Sequence, residues 1–227
     1  MMARRLERKG IYMVHLILEI LIIFTTIGSW VRMFRRGGDR VLSQRGLASL
    51  KYYTCLSNIF AGLVSGMTVF CLLVTGTRAL LPMWLVLLKY SAAASVCLTF
   101  CVVMVFLGPR MGYKPLFAHE QLCLHAVGPL LAVFSFLSSP FIPEMKSSAS
   151  IIAVIPTLLY GIGYAGNILK NGIGEGENTN DWYGFAVGVV KFIPVVFAII
   201  LAVAWGMAAG MLALRGLILH SAILICL

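Results

Sequence analysis

Charged residues are scarce in this sequence. Asp, Glu, Lys and Arg together make up 11% of the 227 residues, whereas an ordinary soluble domain carries about a quarter. Apolar residues make up 60%, and the mean hydropathy is +0.96. A chain with so little charge cannot cover a water-facing surface, so we expect lipid to surround most of the molecule. The composition also excludes a disordered chain, a collagen and a small disulfide-stapled domain.

Acidic residues are rarer still than basic ones. The chain has 8 acidic and 18 basic residues, which gives a formal net charge of +10. In a soluble protein this excess would suggest nucleic acid binding. Here the basic residues lie mostly at the ends of apolar runs, where they contact lipid headgroups. Because no basic face is interleaved with aromatic residues, we expect membrane lipids as partners and no nucleic acid.

Cysteines are few, and they do not form the pattern of a secreted disulfide framework. All six fall within or at the ends of apolar stretches. Cys97 and Cys101 share a helix face, but no His or carboxylate lies on that face to complete a zinc site. The sequence therefore predicts small-residue packing for the cysteines, and neither a metal nor another cofactor.

Long apolar runs dominate the chain. A membrane-spanning helix needs about 20 mainly apolar residues, and backbone groups in lipid must form their hydrogen bonds within the segment. The short alternating pattern of outer-membrane barrels is absent. We predict an all-α polytopic membrane protein, with residues 1–227 as one integral membrane domain and about six transmembrane helices joined by short loops. The predicted spans are Ile11–Val31, Tyr52–Val74, Met83–Leu107, Glu120–Ser138, Ala149–Leu169 and Trp182–Leu214.

Two loops differ in charge. Arg32–Lys51 is the longest and most basic loop, and Asn171–Asp181 is glycine-rich and acidic. With six spans, the loops after the first, third and fifth spans lie on the same membrane face, so these two loops are predicted to meet. The distribution of Lys and Arg between the two faces does not fix the orientation of the protein.

Five ionisable residues fall within the predicted spans, where charge is costly. His15 and Glu19 share one face of the first span, because they are four residues apart. Glu19 and Lys191 both lie near mid-membrane, so we expect either a structural pair or a proton or substrate relay, while Lys89 can extend its amine to the interface. Four of these residues favour an alternative function, a small transporter or lipid-binding membrane protein that uses them as a polar pathway. They are His15, Glu19, Lys89 and Lys191.

Thr54 and His125 lie at similar depth beneath the same membrane face. Thr54 is in the first turn of the second span, and His125 is one turn into the fourth span, which runs in the same direction. An imidazole can accept the proton of a hydroxyl nucleophile, and a helix N-terminus can stabilise an oxyanion. Asn58 is one turn beyond Thr54 and is a candidate hydrogen-bond donor. The competing interpretation is structural, with Thr54 bonded to its own helix and His125 as a satisfied buried group.

At these segments the chain resembles the androgen-induced-gene-1-like family of membrane hydrolases, which includes the androgen-dependent TFPI-regulating protein, and it is most similar to the short bacterial members. The resemblance covers nearly the whole chain in layout but few residues in identity. The matching motifs are Tyr53-Thr54-Cys55-Leu56-Ser57-Asn58, Leu107-Gly108-Pro109, Leu124-His125-Ala126-Val127-Gly128-Pro129 and Asp181-Trp182-Tyr183-Gly184-Phe185.

The resemblance implies an intramembrane threonine hydrolase, an EC 3.1-type esterase, that cleaves a lipid ester such as a fatty acid ester of a hydroxy fatty acid. It implies Thr54 as nucleophile and His125 as base, with no metal. Glu120 and Asp181 are candidates for orienting His125, and Tyr183 is a further polar contact. The implied location is the cell membrane of a prokaryote. The unusually basic loop departs from the family. A non-catalytic membrane scaffold is a third reading, and the oligomeric state is not predicted.

Overall fold

The computed structural model describes residues 2–36, 46–76, 80–174, 179–185 and 190–225. These residues form helices and no strand. Short helical segments connect six long helices along the described chain. The long helices are α1 (Met2–Arg36), α2 (Tyr53–Thr75), α3 (Met83–Met111), α4 (Glu120–Ser138), α5 (Ile155–Asn171) and α6 (Ile193–Ile225).

Five of these helices, all except α5, are long and apolar enough to cross a membrane. Their outward faces carry large apolar side chains, among which Phe24, Phe70 and Val105 are 68%, 70% and 77% exposed. Such a surface suits lipid rather than water. The predicted all-α polytopic bundle is confirmed.

The predicted fifth span, Ala149–Leu169, is not one continuous helix. A short helix, Ala149–Ala153, ends at Val154, and α5 begins at Ile155 with Pro156 in its first turn. Proline has no N–H to donate, so it suits the start of a helix and not its interior. The described residues therefore contain five helices that are long and apolar enough to cross a membrane, where the sequence predicted about six spans.

The predicted sixth span begins too early. We predicted Trp182–Leu214, but α6 begins at Ile193 after a 3-10 turn at Val190–Phe192. Asp181–Phe185 instead forms a turn, in which Gly184 has φ 69° and donates its N–H to the Asp181 carbonyl at 2.9 Å. We name residues 181–185 the aromatic turn.

Helix α3 is the centre of the bundle. In its most apolar stretch 61% of the residues are buried, against 22–39% in the other spanning helices. Small residues at 92–94 let neighbouring helices approach it closely. Tyr90 on this helix stacks on Phe136 of α4, with ring centroids 5.0 Å apart.

Two π-helical segments widen the helices near one end of the bundle. Val103–Leu107 in α3 and Cys123–Val127 in α4 are each followed by Gly-Pro. In each segment the glycine donates its N–H to the carbonyl five residues earlier. The carbonyls of Met104 and Leu124 come next, and in this pattern each would accept an N–H from a proline, which has none. Each of these carbonyls therefore needs a donor from elsewhere.

Side chains supply both missing donors. The Tyr113 hydroxyl donates to the Met104 carbonyl at 2.9 Å, and the Asn58 amide donates to the Leu124 carbonyl at 2.9 Å. The close packing requires Gly128, since a Cβ there would lie 2.8 Å from the Asn58 Oδ1. The second of these hydrogen bonds ties α2 to the part of α4 that carries His125.

Candidate functional site

Thr54 and His125 line the same cavity, with an empty volume of about 360 Å³. The cavity lies between the N-terminus of α2 and the π-helical segment of α4. Within the described part of the chain, no hydrogen bond joins the two side chains directly. We name this space the site cavity, and its lining residues are Met33, Tyr52, Thr54, Cys55, Leu107, Gln121, His125 and Tyr183.

Thr54 is the second residue of α2, whose N-cap is Tyr52. Among the described residues, neither its hydroxyl nor its backbone N–H makes a hydrogen bond, so the structural interpretation of Thr54 as bonded to its own helix is not what the structure shows. The first N–H groups of a helix have no intrahelical acceptor. Thr54 therefore presents a hydroxyl and a nearby N–H donor to the site cavity.

His125 is held in one orientation by the backbone. It is 2% exposed, and its Nδ1–H donates to the Leu116 carbonyl at 2.6 Å. Because a carbonyl only accepts, this hydrogen bond places the proton of the neutral ring on Nδ1 and leaves Nε2 as an acceptor. Leu116 ends a short helix, Tyr113–Leu116, and is fully buried.

Asn58 positions the two halves of the site. Its side-chain amide donates to the Thr54 carbonyl at 2.8 Å and to the Leu124 carbonyl at 2.9 Å. A primary amide has two N–H donors, so both are in use. Asn58 thus connects α2 to α4, and the free donor that the sequence suggested is not available in this arrangement.

The two predicted carboxylate partners of His125 lie elsewhere. The Glu120 carboxylate is 3.8 Å from the Arg32 Nε. The Asp181 carboxylate accepts hydrogen bonds from the Tyr164 hydroxyl and, at 2.8 Å, from the Phe185 N–H. The Leu116 carbonyl occupies the ring nitrogen that either carboxylate would have needed, so the prediction that Glu120 or Asp181 orients His125 through that nitrogen is wrong.

Tyr183 reaches the site from the aromatic turn. Its hydroxyl accepts the backbone N–H of Tyr53 at 2.7 Å, which satisfies the first N–H of α2. Burial raises the pKa of Tyr183 well above its ordinary value, so the phenol stays neutral. Tyr183 is therefore a wall and a capping group of the site and not a base.

The sequence analysis missed Gln121 as a site residue. Gln121 is four residues before His125 and lines the site cavity with it. The spacing of i and i+4 on one helix was the available signal. Its amide makes no hydrogen bond to the described residues, so it is a free donor at the cavity wall.

A second, apolar cavity adjoins the first. Its empty volume is about 470 Å³, and Thr54, Leu107 and Tyr183 line both cavities. We name it the apolar cavity. Its remaining lining residues are Tyr53, Leu98, Thr99, Val102, Val103, Thr157, Tyr160, Phe185, Phe197 and Ile200.

The charged residues of the spans form a separate cluster. Lys89 is buried and donates to the Glu19 carboxylate, which also accepts from Ser135. The expected extension of Lys89 to the interface is therefore wrong. The His15 Nε2–H donates to the Ser138 carbonyl at 3.0 Å.

Lys191 does not lie near mid-membrane as predicted. Its backbone belongs to the 3-10 turn that precedes α6, and its side chain lies outside the described part of the structure. Among the described residues, Glu19 pairs with Lys89.

Lys51, the last residue of the basic loop, contacts the aromatic turn and α5, and a direct meeting of the two loops stays a prediction. The Lys51 ammonium lies 5.4 Å from the centroid of the Trp182 ring, and the Lys51 carbonyl accepts the Tyr160 hydroxyl at 2.7 Å. Glu175 and Glu177 lie outside the described residues. These contacts hold the end of the basic loop against the aromatic turn and α5.

Comparison with family models, curated proteins and solved structures gives no match to this chain. Over the described ranges, no group of three His, Cys, Asp or Glu side chains is placed to hold a metal ion.

Proposed function

We propose that the protein is an intramembrane threonine hydrolase that cleaves a lipid ester, with Thr54 as nucleophile and His125 as general base. One observation carries the proposal. A threonine hydroxyl without a hydrogen bond among the described residues shares a cavity with a buried histidine whose Nδ1–H is fixed on a carbonyl. A ring held in this way presents Nε2 as the proton acceptor.

The first half of the reaction forms an acyl-enzyme. His125 Nε2 takes the proton of the Thr54 hydroxyl as the Thr54 oxygen attacks the ester carbonyl carbon. The negative charge that develops on the carbonyl oxygen is stabilised by the free Thr54 N–H at the helix N-terminus and by the Gln121 amide. The ester C–O bond then breaks, and the alcohol leaves with the proton held by His125.

The second half releases the acid. A water molecule gives a proton to His125 Nε2 and attacks the acyl carbonyl. The bond to the Thr54 oxygen then breaks, and His125 returns the proton to that oxygen. General-base assistance of this kind contributes about 10²–10⁴-fold to the rate.

A fluorophosphonate probe, which phosphonylates activated hydroxyls, tests the assignment. We expect one adduct on Thr54, lost in Thr54→Ala and in His125→Gln, and retained in Thr54→Ser. The matched control is Thr68→Val, because Thr68 is buried on the same helix but donates to the Val64 carbonyl. An adduct on Cys55, which lines the same cavity, or an adduct that persists in Thr54→Ala contradicts the proposal.

A second candidate function, a small transporter or lipid-binding protein, has one observation in its favour. The Glu19 Oε2 and the His15 Nδ1 are buried without a hydrogen-bond partner among the described residues. This function predicts that Glu19→Gln abolishes transport of protons or substrate into proteoliposomes while Thr54→Ala has no effect. Loss of ester hydrolysis in Thr54→Ala, with hydrolysis retained in Glu19→Gln, supports the hydrolase.

A further inference from the structure

The apolar cavity runs along the central helix from the site into the bundle. On α3 its lining residues extend from Leu107 back to Leu98, a length of about 13 Å at about 1.5 Å per residue. A single extended chain would follow the direction of this row of residues.

The walls of the cavity select an alkyl group. None of the described residues that line it is charged. Of its hydroxyls, those of Tyr53 and Thr157 are bonded to each other at 2.6 Å. A charged or strongly polar ligand would be left without partners there and would lose its hydration, whereas an apolar chain buries its surface favourably.

The apolar cavity and the site cavity share the proposed nucleophile as a lining residue. Thr54, Leu107 and Tyr183 line both the apolar cavity and the site cavity. A chain held along α3 would bring its carbonyl end to Thr54. The rest of an ester would then project past Thr54 toward His125 and Gln121.

We propose that the apolar cavity is the acyl-chain site of this hydrolase, and that it takes one unbranched acyl chain of medium length with its methyl end toward Leu98. This inference rests on the proposed function for the identity of the ester. The alcohol portion lies in the site cavity and leaves from there. Val102 of α3 and Ile200 of α6 are the wall residues at which a larger side chain would close the path.

Two matched pairs of variants test the acyl-chain site. Val102→Phe narrows the cavity, whereas Val105→Phe adds the same group to a lipid-facing position of the same helix. Ile200→Phe and the exposed Ile199→Phe form the second pair on α6. Binding is measured in the Thr54→Ala background, so that turnover is not required, with a decanoic acid that carries a terminal diazirine. Gel filtration in detergent identifies any variant that fails to fold.

We expect photocrosslinks close to Leu98. Val102→Phe and Ile200→Phe should each weaken binding by about tenfold or more, which corresponds to the displacement of about two methylene groups. The lipid-facing variants should leave binding unchanged. Crosslinks that fall mainly on lipid-facing residues, or equal effects within each pair, would overturn the acyl-chain site.

The two proposals fail separately. If Thr54→Ala still hydrolyses esters but binding follows the matched pairs, the acyl-chain site stands and the nucleophile assignment falls. If Thr54 and His125 are both required for hydrolysis while the wall variants change neither binding nor the preference for octanoyl over acetyl esters, the acyl-chain site alone falls.

Discussion

The two halves of the bundle use buried polar groups in different ways. At the Thr54 end, neutral hydroxyls, an imidazole and a free amide surround open space. In the other half, Glu19, Lys89 and Ser135 contact one another directly. Arg215 is buried there as well, and donates to four backbone carbonyls at the end of α4.

The residues that are conspicuous in the sequence and the residues that are placed to react lie in different halves of the bundle. Buried charges draw attention in a membrane sequence because they are costly, yet the described ones, Glu19, Lys89 and Arg215, contact each other, a serine or backbone carbonyls. Removal of one partner of such a pair is expensive, while the pair as a whole adds little stability. The neutral residues at the Thr54 end have unused hydrogen-bond donors and acceptors beside a cavity. A catalysed reaction needs such groups next to space for a substrate.

The largest expected effect compares two buried histidines. His125→Gln keeps a side-chain donor for the Leu116 carbonyl but removes the base, so we expect ester turnover to fall by about 10²–10⁴-fold. His15→Gln makes the same change in the other half, where the histidine donates to the Ser138 carbonyl, and should leave turnover unchanged. Turnover is measured with a fluorogenic octanoyl ester in detergent. Equal losses in both variants would remove the distinction between the halves.

A stability measurement tests the charged half. Lys89→Met leaves the Glu19 carboxylate buried without its cation, and we expect the free energy of unfolding to fall by about 3–5 kcal/mol. The double variant Glu19→Gln/Lys89→Met removes both charges and should recover most of this loss. Chemical denaturation in micelles gives the free energies.

Turnover of the same variants completes the test. Per folded molecule, Lys89→Met should hydrolyse esters at the parent rate, because the pair lies outside both cavities. A Lys89→Met variant that is stable but inactive would show instead that the charged half takes part in function.

The connection between the two helices of the site gives an intermediate effect. Asn58→Leu leaves the Leu124 carbonyl without a donor, so we expect a loss of about 1–3 kcal/mol of unfolding free energy together with slower turnover. The matched control is Thr68→Val, which removes a hydrogen bond within α2 alone. If both variants retain full turnover, Asn58 does not position the site.

Much of this arrangement follows from the sequence, and what fails has identifiable physical causes. The apolar runs predict the helices, and equal depth in parallel spans predicts that Thr54 and His125 lie near each other, which agrees with the cavity that both line. The predicted depth of Lys191 in the membrane was wrong because α6 begins at Ile193. This is eleven residues after Trp182, where the apolar pattern placed the start of the span. The Leu116 carbonyl has no sequence signal, since every residue carries a carbonyl and only the tertiary fold selects one.

The Gly-Pro dipeptides that follow the π-helical segments are a further sequence signal. Gly-Pro within an apolar run removes an N–H from the helix and leaves a carbonyl to be satisfied. Asn58, which donates to the Leu124 carbonyl, lies on a different helix. Tyr113, which donates to the Met104 carbonyl, lies nine residues further along the chain. The dipeptide predicts that a partner is needed, but its identity depends on packing.

The smallest expected effect concerns the aromatic turn. Tyr183→Phe removes the acceptor for the Tyr53 N–H, and we expect a loss of about 0.5–1.5 kcal/mol in unfolding free energy. Tyr12→Phe is the control in the charged half, since Tyr12 donates to the Leu72 carbonyl at 3.0 Å. Both tyrosines make one hydrogen bond to the backbone, so their stability losses should be similar, but only Tyr183→Phe should alter ester turnover.

A pH series sharpens the role of Tyr183. Because burial raises its folded-state pKa above the ordinary value, its contribution to stability is fully present below the unfolded pKa of about 10 and is lost only as the pH rises through the raised value. The difference in unfolding free energy between the parent and Tyr183→Phe should therefore stay constant from pH 6 to pH 9, on the order of 1 kcal/mol. A difference that falls within this range would mean that the phenol ionises there, and that Tyr183 competes with His125 as the base.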